Sequence, residues 1–257
     1  WRLPPMAAPD TAVQPEDLEA FAATRLFLAR AAAVAPGFAA TPANADAIVA
    51  VCSHLDGIPL AIELAAARLA TMPVDAVLAG VRDRRAGGGT AGGAMQATIE
   101  WSHGLLAAEE QALLHRLAVF AGPFTIDAAE GVCPDGEIDE AFVLDGLDRL
   151  VATSLVDAVD GDGELRYRLL ESVREFAGHR LGEREAVVRS RHQVWFLHRA
   201  ESQMAALYGP HANAAADIIE ADYPNMVAAA RWPGDGEEDA RYRLAVALYP
   251  FWFLRGY

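Results

Sequence analysis

The sequence predicts a mainly α protein in three parts: a helical bundle, a winged-helix domain with a small β-hairpin, and a run of antiparallel helix pairs. Three observations predict this. Apolar residues recur at helical spacing over almost the whole length. One glycine-rich stretch, "RDRRAGGGTAGGA" at residues 82–94, interrupts them. Only "SLVDAV" and "LRYRLL" alternate like strands, and "DGDGE" joins them as a hairpin turn.

Residues 1–15 are a proline-rich connector. In "PEDLEAFAATRLFLARAAAVAP", Pro15, Glu16 and Asp17 suit a helix start, and Pro36-Gly37 stops the helix. "TPANADAIVAVCSHLDG" predicts a second helix, capped by Thr41 with Pro42 at its first position and Gly57 past its end. Pro59 then falls in the first turn of the next helix, where a proline costs little. That helix, "IPLAIELAAARLA", is apolar except for Glu63 and Arg68. Five residues apart, they lie about 140° apart around the axis and do not pair, so each reads as exposed to solvent or one of them as facing a partner domain. A short helix, "MPVDAVLAGV", completes a bundle over residues 16–81, and 82–94 reads as a flexible linker.

Residues 95–183 hold four helical stretches, "MQATIEWSHGLL", "AAEEQALLHRLAVF", "FTIDAAEGVC" and "EIDEAFVLDGLDRLVATSL", and then the hairpin. Three helices followed by a two-stranded hairpin is the order of a winged helix. The helix before the hairpin often reads a major groove. Here it carries five acids and one arginine, which argues against DNA and for a packing role. Further helices are expected at about 171–182, 184–207, 212–231 and 237–254. The last holds Tyr249, Phe251, Trp252, Phe253 and Leu254, a cluster expected to be uncovered in part.

Composition excludes several functions. The formal net charge is −15, and all 21 basic residues are arginine. A duplex-DNA binder needs a concentrated positive face, which this balance opposes. Without lysine there is no P-loop, whose lysine reaches the β and γ phosphates. Cys52 and Cys133 lack metal-ligand spacing and read as buried thiols. The seven histidines never occur as His-x-x-x-His. No nucleophile–base pair is present, and Glu109-Glu110 is the ordinary acidic first turn of a helix. No apolar run reaches the roughly 18–20 residues of a membrane span, and no signal peptide is evident, so a cytoplasmic location is expected.

A longer pattern runs through "RLFLARAAAV", "LDGIPLAIELAAARLATMP", "ATIEWSHGLLAAEEQALLHRLAVFAGPFTIDAAEGVC", "LDRLVATSLV", "YRLLESVREFA" and "IEADYPNMVAAARW". Over nearly the whole chain, in order, it resembles the STAND-type signalling NTPases of bacterial LuxR-type and AfsR/SARP-type transcriptional regulators, relatives of the NB-ARC switch. The resemblance implies a helical lid at 16–81, a winged helix at 95–183 and the start of tetratricopeptide-like (TPR-like) sensor repeats at 184–257. It implies ATP or ADP as ligand of the parent protein, held against an upstream P-loop subdomain of the same chain, and an inducer at the repeats. The parent would be at most a slow ATPase. Gly57 and Pro59 would line the base pocket with Leu60 behind them, the proline ring packing on adenine. In the NB-ARC class a Met-His-Asp motif opens the helix after the wing, and its histidine reaches the β-phosphate. Those positions here are Leu169, Leu170 and Glu171. Leu170 cannot bond a phosphate, while Glu171 keeps an acid at the helix start. Two other readings remain at this point: a DNA-binding winged-helix module, and a helical scaffold that has lost nucleotide binding.

Overall fold

The computed structural model describes residues 5–9, 13–85, 91–161, 163–233 and 238–256. It divides into two units, Trp1–Leu106 with Ala152–Leu155, and Ala107–Val151 with Val156–Tyr257. They are taken in turn.

The first unit is built around α3, Pro59–Ala67, of which seven residues are buried. It packs against α1 (Ala22–Val34), α2 (Ala45–His54) and α5 (Ala91–Gly104), while α4 (Val74–Arg85) covers α2. Phe27, Ile48, Val51, Cys52, Ile62 and Val77 fill the space between them, each large side chain contributing roughly 1.5–3 kcal/mol by leaving water. Gly80 lets α4 approach α5, since a Cβ there would lie 2.9 Å from the Trp101 ring.

Local chemistry corrects several expected boundaries. The first helix is two pieces, a 3-10 turn at Pro15–Ala20 and then α1, with Phe21 extended between them. The Thr24 hydroxyl donates to the carbonyls of Leu18 and Phe21 and fixes that break. Thr41 does not cap α2. Asn44 does so by position, and its Oδ1 instead accepts the Thr41 N–H at 2.8 Å, closing a turn before Ala45. The expected linker 82–94 is helical at both ends, in α4 to Arg85 and in α5 from Ala91, while 86–90 lie outside the described residues. α5 belongs to the first unit rather than opening the winged helix at 95.

The second unit begins with α6 (Ala108–Leu117), α7 (Ile126–Val132) and α8 (Glu140–Ala152), followed by β1 (Asp157–Gly161) and β2 (Glu164–Arg168). The strands pair antiparallel, Asp157 opposite Arg168 and Gly161 opposite Glu164. Gly163, at φ +88°, supplies the left-handed backbone of the turn. Phe124 adds a third rung that the sequence did not announce, exchanging both backbone hydrogen bonds with Tyr167 at 2.9 and 2.8 Å. β2 stops at Arg168 because Leu170 already caps α9 (Glu171–Gly178). Glu110 reaches back to the Ala107 N–H at 2.9 Å, an ordinary helix-start role.

Three long helices follow, α10 (Glu185–Met204), α11 (Ala212–Arg231) and α12 (Glu238–Arg255), all packed on one another. The array also grips the winged helix. The Trp195 ring of α10 lies on Gly131 of α7, where a Cβ would collide with it, and Pro224 of α11 lies on Gly122. The α12 cluster is split. Phe251 is 0% exposed and Trp252 donates to the Tyr223 hydroxyl at 3.1 Å, whereas Tyr249 and Phe253 are 65% and 84% exposed.

Polar groups are buried at the joint between winged helix and array. Asn225 Oδ1 accepts the N–H groups of Ala121 (2.8 Å) and Gly122 (3.2 Å), and its Nδ2 donates to Pro123 O at 2.9 Å. His192 lies against the rings of Phe120 and Phe196. Burial pushes its pKa down to about 3, opposed in part by the nearby Asn225 side chain and helped by the charge of Arg189. The fold therefore holds the neutral ring, while the unfolded chain takes a proton near 6.5. Stability is then full above pH 6.5 and falls as pH drops toward 3, by at most ~1.4 kcal/mol per unit. Urea unfolding at pH 6.5 and 5 should show a loss of up to about 2 kcal/mol that His192→Phe largely removes.

Candidate functional site

The turn between α2 and α3 places Gly57, Pro59 and Leu60. Asp56 and Gly57 both take positive φ, +52° and +65°. The Gly57 N–H returns to Cys52 O, closing the helix end. Ile58 is extended, which the following proline favours, and Pro59 starts α3 with its fixed φ. Gly57 and Leu60 are buried, and the Pro59 ring is exposed to solvent. The turn thus presents one rigid apolar ring with no N–H, on a base of packed side chains.

The connector lies on this turn. Met6 N–H donates to Gly57 O at 2.9 Å, Ala7 O accepts from Ala23 N–H, and the Ser53 hydroxyl donates to Pro9 O. A Cβ on Gly57 would strike the Met6 carbonyl. Glycine is required twice here, for the left-handed φ and for the close approach of the strap. Gly57→Ala should cost about 2 kcal/mol or more, whereas exposed Pro59→Ala should be close to neutral in denaturant unfolding.

Glu171 belongs to the second unit. It sits in the first turn of α9 and forms an ion pair with Arg174 at 2.6 Å. Leu170 is the extended residue before it, with no side-chain cap. The structure therefore brings together three of the four expected site residues on one turn.

Arg68 corrects an expectation. It is 5% exposed rather than solvated, while Glu63 is half-buried. α3 is enclosed on most sides, and Arg68 continues it into a 3-10 turn against α1 and α4. Its Nε and Nη2 are buried without a hydrogen-bond partner. Burial pushes its pKa down to about 10, which still leaves it charged at pH 7. Among the described residues no ion pair offsets this charge, and a buried charge without a counter-charge lowers stability. Arg68→Met should therefore raise the stability of this chain by about 1–3 kcal/mol in urea unfolding.

The winged helix shows how its charges are used. The side chains of Asp139, Glu140, Asp145 and Asp148 are exposed on and before α8, and Arg149 is paired with Glu110 at 3.0 Å. In the hairpin, Arg166 is buried on Asp222 (2.7 Å) and Arg168 pairs with Asp157. Among the described residues, no group of histidine, cysteine and acid side chains could hold a metal ion. Cys52 and Cys133 are free and buried, and burial raises both thiols to about 12. No helix among the described residues is long and apolar enough to cross a membrane.

Residues 106–182 match the family model of the winged helix-turn-helix domain. Proteins of Mycobacterium bovis and Mycobacterium tuberculosis that bear the name HTH-type transcriptional regulator are 39% identical over 266 residues. The alignment takes in 100% of this chain and 29% of each relative, so the chain spans less than a third of their length. An uncharacterized Mycobacterium tuberculosis protein is 41% identical over 199 residues, covering 73% of this chain and 48% of its own.

Proposed function

We propose that this chain is the regulatory region of a transcriptional regulator, in which a lid, a winged helix and TPR-like sensor helices respond to bound ATP or ADP. The names of the mycobacterial relatives and the winged-helix match support the regulator. The carrying observation for the nucleotide is the turn at Gly57–Leu60, where an exposed proline ring stands on a buried base. Adenine stacks on such a surface at little cost, because the ring is rigid and has no N–H to desolvate. In this reading the phosphates are held by a P-loop subdomain preceding the lid. Leu170 provides no phosphate contact, and Glu171 orders the start of α9 through Arg174. The nucleotide acts by binding one arrangement of the subdomains better than another.

The second reading, a DNA-binding winged helix, is favoured by the domain match alone. Against it stand the acids of α8 and the engaged hairpin arginines. Non-specific DNA affinity comes mainly from cations on phosphates.

One set of titrations separates the readings. Calorimetry of this chain with ATP or ADP should give no binding tighter than millimolar, since base contacts alone anchor a nucleotide poorly. A longer protein containing the P-loop subdomain should bind, and Pro59→Ala in it should weaken binding roughly 10-fold through lost apolar contact. Equal affinity in that variant would reject the adenine contact. This chain should not retard a random duplex at about 50 mM salt, where non-specific binders still hold; a clear shift would favour the DNA reading.

A further inference from the structure

A cavity of ≈ 300 Å³ opens in the second unit where α6, the loop before α8 and the end of α9 meet. His115, Arg116, Arg180 and Arg184 line it, with Glu137 and Glu183. The arginines are placed by the fold. Arg116 is 1% exposed, and its Nη2 donates to Asp135 (2.6 Å) and Glu137 (3.1 Å). Its Nε and Nη1 are buried and have no partner. Arg184 engages the same two carboxylates, sharing Asp135 Oδ2 with Arg116 and taking the other oxygen of Glu137. Arg180 rests 3.6 Å over the Phe176 ring, which stiffens it. Arg191 is fixed on the Pro134 carbonyl.

Asp135 is wholly committed to this cluster. Burial alone would raise its pKa. The Glu137 and Ile138 N–H groups and the charges of Arg116 and Arg184 outweigh that and hold it below the usual carboxylate range. Its charge is therefore spent within the loop. The cavity is lined by three arginines, 116, 180 and 184, and by two acids, Glu137 and Glu183. A chain of net charge −15 thus keeps a cationic surplus at this concave spot. Planar guanidinium forks at a recess suit a tetrahedral oxyanion, which accepts several charge-assisted hydrogen bonds at once.

We propose that this cavity is an effector site for a phosphate-type oxyanion, bound between Arg180 and Arg184 with His115 at its side and Arg116 behind. It lies at the passage from α9 into α10, so an occupant would tie the winged helix to the first helix of the array. The inference does not rest on the nucleotide reading and uses none of its residues.

The test is calorimetry of the whole chain with sodium phosphate against sodium chloride at matched ionic strength. Wild type should show saturable phosphate binding that chloride does not reproduce. Arg180→Gln, outside the Asp135–Glu137 cluster, should weaken it roughly 10-fold by removing one charge-assisted contact. Glu183→Gln should tighten it, a change that damage to the fold would not produce. Absence of saturable binding in wild type, an unchanged affinity in Arg180→Gln, or no tightening in Glu183→Gln would each overturn the site.

Discussion

The second unit depends on the grip of α11 on the winged helix. Within four residues, this helix supplies Asp222 to Arg166 and Arg199, and Asn225 to the backbone of residues 121–123. Both side chains are buried, so an unsatisfied group there would cost more than a hydrogen bond at the surface returns. Among the described residues, the backbone of the loop 121–123 makes no hydrogen bond to other backbone. Asn225 stands in for such bonds, which lets that loop carry the chain from α6 into Phe124 and the third rung of the sheet. Phe120 and Phe124 stack at 4.2 Å beneath it, and His192 and Phe196 close the apolar side. The winged helix is therefore not an appendage that could swing free of the array. Its hairpin, its α7 and its central loop are each held by a residue of α10 or α11.

This arrangement bears on what the winged helix can do. An arginine in a hairpin is a natural phosphate contact. Here Arg166 is oriented inward by Asp222 and Glu164, and its guanidinium serves packing. α8 is left as the open face, and it is acidic. Held in this way, the winged helix serves as a structural joint with the array.

Much of this was legible in the sequence. Helical periodicity placed most helices, "DGDGE" placed the hairpin, and Gly57-Ile-Pro predicted a glycine-ended helix followed by a proline-started one. Gly57 at φ +65° and Pro59 at the first position agree with that reading. Most of what failed had a common cause: hydrogen bonds to distant or unexpected backbone. Asn44 folds back on Thr41 and moves the start of α2, Thr24 ties down Leu18 and splits the first helix, and Phe124 pairs with Tyr167 across 43 residues. Arg68 was misjudged because a helical wheel shows direction but not depth. The bond from Met6 N–H to Gly57 O was equally hidden, since a proline-rich connector gives no signal of where it will lie. Of the candidate site, the turn itself could be read, but its cover by residues 6–9 could not. The cluster around Asp135 joins residues from 116 to 191, a span no local pattern reports.

The close contacts at Gly131 and Gly122 bind the history of two segments together. Trp195 occupies the space that a side chain on residue 131 would need, and Pro224 does the same for residue 122. Neither glycine can gain a carbon while its neighbour keeps its bulk. Among homologues, any lineage with alanine or serine at 131 should carry a smaller residue at 195, and the pair 122 and 224 should drift in the same compensating way. Such linked substitutions between the winged helix and the array would mark two regions that evolve as one piece of matter rather than as modules free to be exchanged.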